Sequence, residues 1–412
     1  MTTQIPASDI HAFTSININY LPRARVLGDS IKKHHPEMRF HLMLSDEIPK
    51  GFNLEDEPFD SVIQIANLAI EDQDAWIFKH DVVELCTAVK PFAFLNIMDT
   101  YNAKSVFYFD PDVVLFSRVD AMIEDLERHA AILTPHVCAP DVLPSAIVDN
   151  EISCLKHGIN NLGFLAANGR GEGRALIEWW AKRLHHYCYD DIPRGLFTDQ
   201  RWMDFAHVFF NDIKIEKGPE YNVATWNYTT REISGSLQDG VMVDGRPLCF
   251  HHFSGFTNGA AQMMQGRYAD GIQVIDDLYA WYREACDHAG QRELADHRWA
   301  YGYYSNGEKI ERSHRLLYRE KSDLQNAFPK PSQCTSDTSA SSSYYNWLKS
   351  NPAKLSRASN SASFWDFMTV TEQSLLGYID RAQKPGKLTK KCAAIATRSG
   401  FLISRKVLKL FT

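Results

Sequence analysis

The sequence is short of features that would settle its class at once. Its eight cysteines are dispersed from Cys86 to Cys392, and none forms a CxxC pair. That spacing argues against a zinc ribbon or a thioredoxin-type redox site. In a chain of 412 residues it fits free thiols in a reducing cytosol. No apolar run reaches the roughly 20 residues needed to span a bilayer. The N-terminal stretch lacks the basic flank and continuous apolar region of a signal peptide, so a cytoplasmic location is expected. There is no internal repeat.

Acidic residues outnumber basic ones except at one end. The net charge is −7, yet Lys384 to Thr412 holds eight Lys and Arg and no acid, which leaves the remainder at −15. An acidic body argues against nucleic-acid binding. Within the tail, Ile395, Ser399, Leu402, Val407 and Leu410 have approximate helical spacing, interrupted by Gly400. A basic, partly amphipathic segment fits a peripheral site on an anionic membrane surface. A merely solvated tail is the competing reading.

What is present suits a large core: 44% of residues are hydrophobic and 12% aromatic. The pattern divides into a catalytic domain over 1–328, a Ser/Thr/Pro-rich linker over 329–343 and a helical basic extension over 344–412. Phe13 to Ile18, Arg39 to Leu44 and Ser61 to Ile65 read as strands, with a helix over Tyr20 to His34. This alternation predicts an α/β fold with a mostly parallel sheet. Asp81 to Thr100 opens with a capping-box pair, Asp81 and Glu84, and Pro91 predicts a break within it. Gly173 to Tyr187 reads as a helix whose Leu176, Trp179, Trp180, Leu184 and Tyr187 face the core.

The most informative stretch is Ser105 to Phe116, SVFYFDPDVVLF. Two apolar runs flank Asp110-Pro111-Asp112. Carboxylates beside buried strands are costly unless paired or bound to a cation. Two held close would repel, and a hard divalent ion such as Mg²⁺ or Mn²⁺ resolves that. Such an ion commonly shares phosphate oxygens, which points to a nucleotide diphosphate. A solvated Asp-Pro turn between two strands is the alternative. Further on, Cys249 to Phe256 reads CFHHFSGF, a histidine pair running into a Gly-containing turn. A histidine among aromatics is usually a core residue, whereas a pair beside such a turn suggests a site.

In this order the pieces resemble a GT-A-fold nucleotide-sugar glycosyltransferase, and in particular the retaining family 8 type of glycogenin and lipopolysaccharide galactosyltransferases. The resemblance runs from about Phe13 to Phe256. It implies a Rossmann-like mixed, mostly parallel sheet flanked by helices. It implies that Phe13, Thr14, Ser15 and Tyr20 hold the base and ribose of a nucleotide-sugar, and that Lys90 faces the diphosphate. Asp110-Pro111-Asp112 matches the family's DxD motif. Asn161-Leu162-Gly163 matches its N-x-G element, and His252-Phe253-Ser254-Gly255 its H-F-x-G element. The metal ligands implied are Asp110, Asp112 and His252, with Asp110 also placed to reach the ribose. Asp199-Gln200 matches the D-Q element beside the sugar ring, although Asp199 also suits a helix cap. The activity implied is hexosyl transfer from a UDP-sugar, with Mn²⁺ or Mg²⁺, to a glycan or lipid-linked acceptor in surface polysaccharide or lipopolysaccharide synthesis. Two departures stand out. Asp204 replaces the family's Asn, and Phe256-Thr257-Asn258 replaces its Lys-Pro-Trp, removing one phosphate contact. Three other classes also use acids and metals or share the scaffold: a nucleotidyltransferase, a metal-dependent sugar or phosphate hydrolase, and a non-catalytic glycan-binding module. The first of these usually needs a Gly-rich loop near the first strand, where Tyr20-Leu21-Pro22-Arg23 stands instead.

Overall fold

The structure, a computed structural model, describes residues 10–355. The basic stretch Lys384 to Thr412 and its expected helical spacing lie outside the described residues. In chain order the main elements are β1 (Ile10–Ile16), α1 (Leu21–His34), β2 (Arg39–Leu44), β3 (Ser61–Gln64), α2 (Val82–Ala88), α3 (Lys90–Tyr101) and β4 (Ser105–Phe109). There follow β5 (Val113–Leu115), β6 (Ala131–Pro135), β7 (Asn160–Asn168), α4 (Gly171–Tyr187), β8 (Ile213–Ile215), β9 (Phe250–His252) and α5 (Gln273–His288).

The central sheet has seven strands in the order β8-β6-β7-β4-β1-β2-β3. Neighbours are parallel except at β7, which runs antiparallel to both β4 and β6. This is the mixed, mostly parallel, helix-flanked α/β sheet that the resemblance implied. Alternation along β4 decides its two faces. Val106 and Tyr108 join a core with Phe94, Leu165 and Trp180, while Phe107 and Phe109 join one with Leu27, Phe40 and Phe164. A strand buried on both sides needs the continuous apolar run seen in the sequence. The first face is covered by α3 and α4, the second by α1.

Local chemistry sets the element ends. The Asp81 carboxylate accepts from the Glu84 amide at 2.9 Å and Glu84 accepts from the Asp81 amide at 3.0 Å, closing the capping box that starts α2. Pro91 does divide the segment, at the second residue of α3, where its missing N–H costs nothing. In α4 Leu176, Trp180 and Leu184 are fully buried, but Tyr187 is 51% exposed, against the expected core face. It is the last residue of the helix, where the core no longer covers it. A short helix, Tyr344–Ser350, inserts Tyr344 and Leu348 among Phe78, Tyr304 and Tyr318. The cysteines among the described residues are free thiols. Among the described residues no helix is long and apolar enough to cross a membrane.

Two buried histidines bear on acid stability. Burial pushes the pKa of both His41 and His80 down to about 3. His41 stacks against His11 and Tyr101, and His80 lies against Trp76 and Tyr189. A folded-state pKa below the unfolded value near 6.5 gives stability that is whole above that pH and lost as pH falls toward 3. Each should steepen the loss by about 1.4 kcal/mol per pH unit in that window. Urea unfolding at a series of pH values should show His80→Gln flattening the slope by that amount.

Candidate active site

The site begins where β4 ends. Asp110 donates its amide to Gly163 O on β7 at 2.8 Å, and the amide of Val113 returns to Asp110 O at 3.0 Å, making a tight turn through Pro111. The chain then enters β5, which pairs antiparallel with β9 so that His252 lies opposite Val113. The Phe253 amide donates to Asp112 O at 2.8 Å. This pairing brings a histidine 140 positions downstream against the acidic turn. His252 Nε2 lies 3.1 Å from Asp112 Oδ1 and 3.7 Å from Asp110 Oδ2. One ligand atom from each of Asp110, Asp112 and His252 falls within 4.8 Å of the others.

Gly163 makes room for the imidazole. A Cβ there would stand 2.4 Å from His252 Cε1, so any side chain would displace the ring. His252 Nδ1 is buried without a hydrogen-bond partner. The two histidines of the pair separate: His251 points into the core, its Nε2 2.7 Å from the Tyr228 hydroxyl, and only His252 reaches the acids. Strand alternation sends adjacent side chains to opposite faces.

Lys90 is the hub of the charges. Its side chain is 3% exposed, and Nζ lies 2.9 Å from Asp199 Oδ2, 3.3 Å from Asp110 Oδ1 and 3.0 Å from Leu162 O. The ammonium donates to Asp110 Oδ1 and Leu162 O, and Asp199 Oδ2 balances its charge as an ion pair. Burial works against its charge, but Asp110 and Asp199 turn the pKa upward. For Asp199 burial wins over Lys90, and its pKa is raised. Burial opposes the charge of Asp112, yet His252 holds its carboxyl below the usual range. Burial likewise opposes charge on His252, and Asp112 turns that shift upward.

The D-Q pair is structural as well as adjacent. Asp199 occupies the cap position before Gln200–Phe205, but its side chain makes no capping bond there. It pairs with Lys90 and accepts from the Thr198 hydroxyl at 3.1 Å. Gln200 accepts from the Leu162 amide at 3.0 Å and donates to His157 O at 2.9 Å. Asn161 accepts from the Gly163 amide and from Asn222 Nδ2, each at 3.1 Å, and its own amide meets His136 Nε2 at 3.1 Å.

The proposed base-and-ribose residues are dispersed. Phe13 is fully buried in the core against Phe94 and Tyr108. The Ser15 hydroxyl donates to Cys86 O at 2.7 Å, and the Thr14 hydroxyl is buried without a partner. Tyr20 is 38% exposed, with the Arg23 guanidinium 4.3 Å from its ring centre. Gly255 forms a left-handed turn after β9, at φ +73°. Three participants escaped the sequence reading. Arg23 Nη1 lies 3.9 Å from Asp112 Oδ2, the Tyr108 hydroxyl donates to Asp110 Oδ1 at 2.5 Å, and Trp226 meets His252 edge-on at 5.2 Å. No local pattern marks them, although an Arg on the buried face of α1 is itself a sign of a buried acid partner.

The arrangement defines a class of site: two carboxylates and an imidazole converging at the C-terminal edge of an α/β sheet, backed by a buried lysine. No protein-family model matches the chain. It is similar to two uncharacterized proteins of Bacillus subtilis (strain 168). YfnF is 26% identical over 179 residues, 43% of this chain and 58% of that protein. YfnD is 23% identical over 256 residues, 61% of this chain and 79% of that protein. Among solved structures it is similar to the galactosyltransferase LgtC in complex with donor and acceptor sugar analogs, with 15% identity and a TM-score of 0.42. That match covers 68% of this chain and 96% of LgtC.

The Lys90 network carries its own test. Removing one partner of a buried ion pair leaves an uncompensated charge and costs about 3–5 kcal/mol. Lys90→Met should lower the unfolding free energy in urea by that amount. The double variant Lys90→Met/Asp199→Asn should recover part of the loss, because the second change removes the stranded charge.

Proposed function

We propose that this chain is a metal-dependent glycosyltransferase that moves a sugar from a nucleotide diphosphate donor, a UDP-sugar, to a glycan or lipid-linked acceptor. The role fits surface polysaccharide or lipopolysaccharide synthesis. One observation carries the reading: Asp110, Asp112 and His252, from stretches far apart in sequence, converge within 4.8 Å beside a buried lysine.

The donor set fits a divalent ion. Two carboxylate oxygens and one imidazole nitrogen suit Mn²⁺, and Mg²⁺ through its oxygen preference. Three acids, Asp110, Asp112 and Asp199, outnumber the two permanent cations Lys90 and Arg23. Added positive charge would therefore offset an excess of negative charge. A bound divalent cation supplies electrostatic stabilisation to a departing diphosphate.

The protein's own groups do the positioning. Lys90 holds Asp110 and Asp199 at fixed separation, and the Tyr108 hydroxyl fixes the rotamer of Asp110. Arg23 lies beside Asp112 and against Tyr20 and Thr257, where its charge would meet an incoming phosphate. Asp199, kept close to the cluster by Lys90, stabilises positive charge developing on the sugar ring. Gln200 holds the start of β7 against His157 and so sets Leu162, whose carbonyl binds Lys90. Transfer with retention is the outcome that the resemblance to family 8 implies for it.

Asp110→Ala and Asp112→Ala should each abolish Mn²⁺-dependent UDP binding in calorimetry and stop sugar transfer, with the circular dichroism spectrum unchanged. Undiminished binding in either variant contradicts the proposal. The reaction itself has a separate measure. UDP release should require a glycan acceptor, and NMR of the product should show the donor's anomeric configuration preserved. Acceptor-independent release would assign the site to hydrolysis instead.

A further inference from the structure

Apolar side chains gather on the outside of the stretch that leads into β7. From Pro144 to His157 the chain is continuously helical, with a π turn over Ile147–Ile152. Its inner side carries Ala146, Asn150 and Cys154, all buried. Outward it and its flanks present Val142, Leu143, Val148, Ile152, Leu155 and Ile159, with Val142 89% and Leu155 68% exposed. Ser145 is the only exposed polar residue between 141 and 159. A helix on the surface of a water-soluble domain normally turns its apolar side inward. Here a hydrogen-bonded asparagine points in and branched aliphatic side chains point out.

A second segment extends the patch. The Ile159 amide donates to Asp204 Oδ1 at 2.9 Å, and Arg201 Nη1 donates to Leu155 O and to Lys156 O, each at 2.8 Å. Just beyond Asp204, Phe205, Val208 and Phe209 are exposed, and the two phenyl rings stack at 5.0 Å. Together the two segments hold most of the exposed large hydrophobic residues among the described residues. Single exposed apolar residues need no explanation, but a contiguous group marks an interaction surface.

Charge decides what covers it. The carboxylates of both segments are engaged by the protein. Asp141 is buried and accepts from Asn150 Nδ2 at 2.9 Å. Asp149 pairs with Arg267 at 2.6 Å, Glu151 accepts from the Asp141 amide at 2.7 Å, and Asp204 is held by the Ile159 amide. Outside its basic tail the chain carries −15, so two adjoining segments without an exposed carboxylate are a local exception. An anionic bilayer repels carboxylates and accepts aliphatic and phenyl side chains at its headgroup boundary. The basic tail would find no exposed acid on these segments to pair with. A second copy would bring another −15 against the first, which opposes association. The tail supplies instead the second attraction that stable attachment to an anionic surface needs.

We propose that the face formed by 142–159 and 205–209 docks on an anionic phospholipid surface, its apolar side chains entering the headgroup boundary. This rests on exposure and charge and is independent of the transferase reading. Ile159 stands two residues before Asn161, so docking holds the carboxylate–imidazole cluster close to the lipid.

Flotation of the full chain tests it, with vesicles of phosphatidylcholine alone and of phosphatidylcholine and phosphatidylglycerol in equal parts. The unaltered chain should float with the anionic vesicles. The double variant Val142→Ser/Leu155→Ser changes two exposed positions and adds no charge. It should weaken that binding at least about tenfold, with the circular dichroism spectrum unchanged. Failure of the unaltered chain to float with the anionic vesicles overturns the proposal. So does flotation that the double variant leaves intact, which would assign binding to the tail alone. A lipid-free dimer in sedimentation equilibrium that the double variant dissociates would also overturn it, because a second copy would then cover the face.

Discussion

Three residue pairs in antiparallel register between β5 and β9 place the cluster. β5 begins one residue after Asp112, and β9 ends on His252. Antiparallel pairing sets His252 opposite Val113. A slip of one residue would turn the imidazole to the other face and send His251 toward the acids. The register is held from both sides. Phe250 is fully buried against Phe109 and Phe164, and His251 bonds the Tyr228 hydroxyl. Packing of Phe250 on the face it shares with His252, and of His251 on the opposite face, thus fixes the imidazole.

Electrostatics then organises what the register assembles. A buried lysine is costly unless its protons are engaged and its charge is balanced. Lys90 donates to Asp110 and Leu162 O, and Asp110 and Asp199 balance its charge. These partners come from the turn after β4, the D-Q element and β7. One ammonium therefore coordinates the placement of three segments. Its location at the first residue of α3, directly before Pro91, also fixes the direction in which the side chain leaves the helix.

Much of the framework was legible in advance. The β4 run, the capping box of α2 and the break at Pro91 follow from local rules: propensity, capping and period. The triad of candidate ligands was legible only by resemblance, because no local rule links position 112 to position 252. The expected core face of α4 extended one turn too far, to Tyr187, because periodicity does not report where the covering layer stops. Asp199 suited a helix cap by residue type, yet its carboxylate pairs with Lys90. A buried ammonium competes more strongly for a carboxylate than a neutral backbone N–H does.

By itself the sequence determined the alternation of strands and helices, the stiff acidic turn at Asp110-Pro111-Asp112 and the excess of negative charge over the body of the chain. These depend on neighbours within a few residues or on composition. Tertiary structure alone decided which of two adjacent histidines reaches the acids, that Arg23 and Tyr108 join them, and that Gly163 must lack a side chain. Those outcomes depend on contacts between segments remote in the chain. They exist only once the sheet has closed its register and the core has chosen its faces.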